Sequence, residues 1–338
     1  MNYKSIGDMA QTFQMQRHNL QLKTHLSRLT EELTTGVQKD LGVAVRGDFT
    51  ALAGIERSLT VLNSYAFTTA EASQLADSMQ GVLGTMQSLM ADTGPMLLSS
   101  ATSTSPTMVA TSTADAKQKF ESMIMALNTN TAGRYAFSGT ATDMRPLAAP
   151  EDILAKLHTT ISGASTASDA LEAIDMWFDA PTGSGGFVDQ AYTGGTTALS
   201  AFRISESETA QLPINATDPN IRDAIRGLAI AALVSDGALA GNDTERAHLT
   251  RAAGEHVFAA GNKLVATQAA IGATQAQIGQ VSTRNTAEAS ALTLARSGMI
   301  AADPYDTATA LEAVQTQLET LYTLTARLSR LSLTDYLS

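Results

Sequence analysis

The sequence predicts a mainly α-helical protein, built as a long antiparallel helical bundle or coiled coil of the N- and C-terminal segments, with a short β element and an inserted α+β outer domain. Three observations carry that prediction. Apolar residues recur at alternating four- and three-residue steps near both ends of the 338-residue chain, the spacing that keeps one helix face apolar. Aromatic residues make up only 5% and Trp occurs once, so the core must be thin layers of aliphatic and small side chains, which suits long packed helices. One compact stretch, "NTAGRYAFSGT" at 130–140, breaks the helical spacing, and the composition changes after it.

The elements follow in order. Leu22, Leu26, Leu29 and Leu33 form a heptad seam, which Met9, Phe13 and Leu20 extend toward the N-terminus. A second seam runs through Leu75, Met79, Val82, Met86 and Leu89, is broken by "DTGP" at 92–95, and gives way to a loop at "SSATSTSPT", 99–107. Helical spacing resumes through Phe120, Ile124 and Leu127. In "GRYAFSG", Tyr135 and Phe137 alternate with small residues as a short strand, with Gly133 and Gly139 at its ends, where a glycine turns the backbone without a Cβ penalty. Arg134 falls on the opposite face and is expected to meet an acid.

From 140 to about 215 the pattern is Pro- and Gly-punctuated. Two short helices near 151–178 precede a flexible "TGSGG" loop at 182–186 and strand-like runs "FVDQAY" and "ALSAFRI". After "DPN" at 218–220 helix returns, and Val257, Leu264, Ile271 and Ile278 recur every seven residues, with Ala260, Thr267, Thr274 and Val281 between them. "DPYD" at 303–306 interrupts, with Asp306 or Thr307 as N-cap. The last helix carries Leu311, Val314, Leu318, Leu321, Thr325 and Leu328.

A narrow seam cannot bury itself as a lone helix in water, so the terminal segments are expected to lie side by side. The resulting domain reading has 1–45 plus 290–338 as a terminal coiled-coil segment. Residues 46–139 plus 216–289 form a helical core domain, and 140–215 an inserted outer domain.

Charge and composition narrow the function. The net charge is -11, and residues 140–245 hold fifteen acidic against five basic residues, a local net of -10. Nucleic acid and anionic membrane both demand clustered Lys and Arg, so neither is an expected partner. No cysteine occurs, which removes disulfides and thiolate chemistry. The first twenty residues lack the apolar core of a secretory signal, and the longest apolar run, "GLAIAALV" at 227–234, is too short to span a bilayer. The five histidines fit no HExxH pattern, "TGSGG" is not a phosphate-binding loop, and no GxSxG occurs. The expectation is therefore a protein that is not an enzyme, with no catalytic, cofactor or metal residues.

Four stretches resemble the flagellin superfamily, and within it the FlgL-type hook-associated proteins of the bacterial hook-filament junction. They are "LNTNTAGRYAFSGT" at 127–140, "INATDPNIRDAIRGLAIAAL" at 214–233, "AAIGATQAQIGQV" at 269–281, and the ending "ALEAVQTQLETLYTLTARLSRLSLTDYL". After the first helix, "TTGVQKDLGVAVRGDFT" departs from the family pattern. The resemblance implies a structural protein without catalysis, exported by the flagellar type III apparatus without a cleavable signal peptide, and residing outside the cell in the flagellum. It implies four partners: further copies of itself in a ring, the other junction protein on the hook side, flagellin on the filament side, and an export chaperone. Assembly contacts are expected at Phe13, Leu22, Leu26, Leu29, Leu33, Leu311, Val314, Leu318, Leu321, Leu328, Leu331 and Leu333. A structural motif is expected at Gly133, Arg134, Tyr135, Phe137 and Gly139. Flagellin itself is the close alternative, and a secreted effector a more distant one.

Overall fold

The computed structural model describes the backbone of residues 3–103 and 105–337, and the side chains of 9, 10, 12–103 and 105–327. Eleven helices and four two-residue strands follow one another along these residues. They are α1 (Tyr3–Thr35), α2 (Leu41–Ala44), α3 (Thr50–Ala91), α4 (Thr93–Thr102), α5 (Pro106–Leu127), β1 (Asn130–Thr131), β2 (Arg134–Tyr135), α6 (Pro150–Thr160), α7 (Ala167–Asp179), α8 (Phe187–Gln190), β3 (Phe202–Arg203), β4 (Thr209–Ala210), α9 (Pro219–Ser235), α10 (Asp243–Ile300) and α11 (Pro304–Leu337). β1 pairs antiparallel with β2, and β3 with β4.

The chain divides into two compact units, 1–63 with 286–338, and 64–285. The first holds α1, α2 and α11. The second is organised around α9, in which every residue from Ala224 to Val234 is buried. A helix that is apolar all round needs cover on every side, and the "GLAIAALV" run supplies it with no charge to place. Gly227 allows α10 to approach, since a Cβ there would lie 2.9 Å from Val257. Phe120, Met123, Ile124 and Leu127 of α5 join the same core, as do Ile153, Leu154 and Leu157 of α6 and Ile174, Trp177 and Phe178 of α7. The 140–215 segment thus contributes side chains to the core that α9 occupies.

Several local expectations are corrected. "FVDQAY" forms the short helix α8, not a strand, with Phe187 buried against the rings of Trp177 and Phe178 at centroid distances of 5.8 and 5.2 Å. The Ser/Thr-rich stretch at 99–107 is mostly helical: α4 runs to Thr102 and α5 starts at Pro106. Ser100 and Thr102 turn their hydroxyls onto the carbonyls of Leu97 and Ser99, so these side chains satisfy themselves within the helix. "TGSGG" is an ordered loop, folded around the Asp189 carboxylate, which accepts from the N–H of Gly183 at 2.9 Å and of Gly185 at 2.8 Å. The last helix is capped by Asp303, whose carboxylate accepts from Tyr305 and Asp306, one turn earlier than expected.

Candidate assembly interface

α1 and α11 bury one seam between them. Leu22, Leu29, Val314 and Leu318 are its buried centre, with Leu26, Leu311 and Leu321 packed partly against it. On α11 the register runs Thr307, Leu311, Val314, Leu318, Leu321, in alternating steps of four and three, with Thr307 buried. On α1 it runs Met15, Asn19, Leu22, Leu26, Leu29, Glu32, with Met15 and Asn19 half-buried and Glu32 buried.

That register corrects part of the sequence reading. Phe13 is 63% exposed and Leu33 38% exposed, so neither joins the seam that Leu22, Leu26, Leu29, Leu311, Val314, Leu318 and Leu321 form. Stepping back from Leu22 by three and four residues reaches Asn19 and Met15, whereas Met9, Phe13 and Leu20 fall on a different face and are all exposed. At the other end Glu32 takes the position that Leu33 was expected to fill. The side chains of Leu328, Leu331 and Leu333 lie outside the described residues.

A polar clamp closes the C-terminal end of α1. Val37 bridges Ala301 antiparallel, with Gln38 N–H donating to Ile300 O at 2.8 Å and Ala302 N–H to Gly36 O at 2.9 Å. Gly36 makes the turn with φ +70, a region that costs other residues strain. Glu32 is buried but not unpaired: its carboxylate accepts from the Lys39 backbone N–H at 2.9 Å and faces Arg28 at 3.8 Å. Buried acids need such partners.

The "GRYAFSG" stretch is a knot of chain crossings in the second unit. β1 and β2 form a hairpin turning at Ala132 and Gly133, both with positive φ, and Gly133 N–H donates to Asn130 Oδ1. Arg134 pairs with Glu71, the acid that spacing alone could not name. The strand expected through Phe137 stops at Tyr135, which is only half-buried, while Ala136, Phe137, Ser138 and Gly139 are buried in succession. Here tertiary packing on several sides replaces the two-sided alternation of a strand. Phe137 O accepts from Ala216 N–H at 2.9 Å, Ser138 O from Gly195 N–H at 2.8 Å, and Thr197 O from Thr140 N–H at 3.1 Å. At Gly139, φ is +58 and a Cβ would lie 2.5 Å from the carbonyl oxygens of Gly195 and Thr197, so only glycine fits.

Two anchoring groups were not read from the sequence. Asn128 makes a two-way amide clasp, donating from Nδ2 to Leu147 O at 3.0 Å and accepting from Leu147 N–H at 2.9 Å. Arg226, 6% exposed within the apolar face of α9, pairs with Asp175 at 3.0 Å and Asp179 at 2.5 Å on α7, and lies 5.3 Å from the Phe178 ring centroid. An arginine inside an apolar run was the available signal. Among the described residues no group of three or more His, Cys, Asp or Glu is placed to hold a metal, and no helix is long and apolar enough to cross a membrane.

Residues 255–337 match the family model of the bacterial flagellin C-terminal helical region. No curated protein sequence matches the chain. Among solved structures, Bacillus cereus FlgL superposes with a TM-score of 0.50 at 13% identity, covering 72% of this chain and 100% of that one. A candidate flagellar hook-associated protein of Vibrio parahaemolyticus gives 0.48 at 13% identity, covering 72% of this chain and 94% of that one. The fold is that of Bacillus cereus FlgL, and residues 255–337 carry the flagellin C-terminal helical pattern.

Proposed function

We propose that the chain is a structural component of the bacterial flagellum, a junction protein that connects hook to filament. The observation that carries this reading is the α1–α11 pair itself: two long terminal helices joined by one narrow seam, with Met9, Phe13 and Leu20 exposed on another face of α1 and Tyr322 and Leu324 on α11. An apolar face left outside a helix pair is the kind of surface that a neighbouring subunit covers. The FlgL fold and the flagellin C-terminal match support the same reading.

In this reading copies of the chain form a ring, the other junction protein contacts its hook side, and flagellin contacts its filament side. The assembly acts outside the cell after type III export, with a chaperone covering the C-terminal helix, Leu331 and Leu333 included, beforehand. The chain performs no catalysis. A strain lacking the chain tests the proposal: hooks should remain complete while flagellin accumulates unassembled in the medium. Normal filaments in that strain would overturn it, and loss of flagellin from both cells and medium would point to the filament subunit instead.

A further inference from the structure

A cleft of about 340 Å³ is lined on one side by Thr102, Ser103, Ser105 and Pro106 and on the other by the first turns of α10. Its charged lining is Arg246, Arg251, His248 and Asp243, so with a neutral imidazole it is net positive by one, in a chain of net charge -11. Among the described residues, the Arg246 side chain makes one hydrogen bond, from Nη1 to Ala238 O at 3.2 Å, and Arg251 makes no ion pair. Most of the guanidinium donors that face the cleft are therefore unused, although each could hold an oxygen pair in a fixed fork.

Two further features favour the same sign of charge. Ser105, which precedes α5 at the cleft, makes no side-chain capping bond, leaving its hydroxyl available. The N-terminal ends of both α5 and α10 open here through Ser105 and Pro106 on one side and Asp243 and Thr244 on the other, and helix N-termini carry partial positive charge. We propose that this cleft binds a single anionic oxygen group: a free phosphate-type oxyanion, or a carboxylate presented by a second copy of this acidic chain.

Two nuclear magnetic resonance series on the full chain test it, following the Ser105 and Thr244 amides and the His248 ring. In the first, inorganic phosphate is titrated at ionic strength held constant with chloride. In the second, protein concentration is varied without phosphate. Saturating shifts with phosphate identify the free oxyanion, and shifts that grow with protein concentration identify the second copy. Arg251→Gln, an exposed change that removes no described ion pair, should weaken whichever response is seen by roughly tenfold, the effect of losing one charge-assisted hydrogen bond. Arg246→Gln added to it should abolish the response. Absence of both responses, or identical responses in Arg251→Gln, would overturn the proposal.

Discussion

The two units hold themselves together in different ways. Residues 64–285 surround a helix that is buried on all sides, so each layer covers and is covered by others. In residues 1–63 with 286–338 the two terminal helices meet on one seam, whose four buried centre residues all sit at 6–8% exposure, closed by a short backbone clamp. A many-sided core distributes its stability, while a one-sided seam keeps its outer faces free. This difference fits a division of labour in which the first kind of packing supplies a rigid body and the second supplies contact surface.

The largest expected effect comes from removing a cover of α9. The 140–215 segment, expected from sequence as an inserted outer domain, supplies several of those covers: Ile153, Leu157, Ile174, Trp177 and Phe178 are buried on the same core as Leu228, Ile230 and Leu233. Each such side chain contributes about 1.5–3 kcal/mol on burial, so replacing 141–214 by a short Gly/Ser linker removes an amount comparable to a domain's typical net stability. Circular dichroism should show loss of the cooperative melt. A variant melting like the parent would establish an independent outer domain after all.

Next comes the contrast between single cavities in the two units. Leu264, fully buried on α10, should lose about 3–4 kcal/mol on change to Ala, because a core packed from several sides cannot collapse onto the gap. Leu318, at the edge of a two-helix seam, should lose about 2 kcal/mol, since helices paired on one side can shift to close it. Hydrogen exchange distinguishes the two: Leu318→Ala should speed exchange in α1 and α11 and leave α9 protected. Uniform loss of protection in both variants would show that the units unfold together.

Arg226 sharpens the comparison within the larger unit. Arg226→Met keeps much of the volume but removes the ion-pair partner of Asp175 and leaves Asp179 with only Arg222 at 4.0 Å, and a cost of about 2 kcal/mol is expected, moderated because both carboxylates are exposed. Adding Asp175→Asn and Asp179→Asn should restore part of that loss. Phe13→Ala lies at the other extreme. Its ring is exposed, so the monomer's unfolding free energy should stay within about 0.5 kcal/mol of parent, while the yield of assembled protein should fall if this face meets a neighbour.

How much of this was legible depends on where the deciding information lies. The seams of α1, α10 and α11 were readable because period and burial agree over many turns, as at Val257, Leu264, Ile271 and Ile278. Where a segment is short, its neighbours decide: "FVDQAY" became α8 because Phe187 had an aromatic cluster to enter, a fact held by Trp177 and Phe178. In "GRYAFSG" the glycines sit at turn positions with positive φ, but the buried run from Ala136 to Gly139 is bonded to crossing chain at 195, 197 and 216 that no local pattern announces. Of the expected assembly residues, seven meet in one seam. Phe13 departs because a leucine count does not fix the register, which Asn19 and Met15 carry in this helix.

The smallest effects concern pH, and they too separate within the larger unit. Hydrogen bonds from Thr166 and Ser165 hold the Asp169 carboxyl below its ordinary value, as part of the capping box that starts α7. The N–H groups of Gly183 and Gly185 do the same for Asp189. For a carboxyl depressed by folding, the unfolded chain binds more protons in the acidic range, so this stabilisation is present above the ordinary carboxylate pKa of about 3.8 and is lost as pH falls below it. Tyr192 has the opposite sign. Burial pushes its phenol up to about 12, and its hydroxyl donates to Gly195 O at 2.7 Å, so its stabilisation is complete below the ordinary value of 10 and is lost as pH rises toward 12. Asp169→Asn should therefore flatten the acid limb of a stability-pH curve and leave the alkaline limb unchanged, whereas Tyr192→Phe should flatten the alkaline limb alone, at a pH-independent cost of about 1 kcal/mol for the lost hydrogen bond. Denaturant midpoints at pH 3, 7 and 11 measure all three. An unchanged alkaline limb in Tyr192→Phe would mean that the crossing beneath Gly139 opens before the phenol ionises.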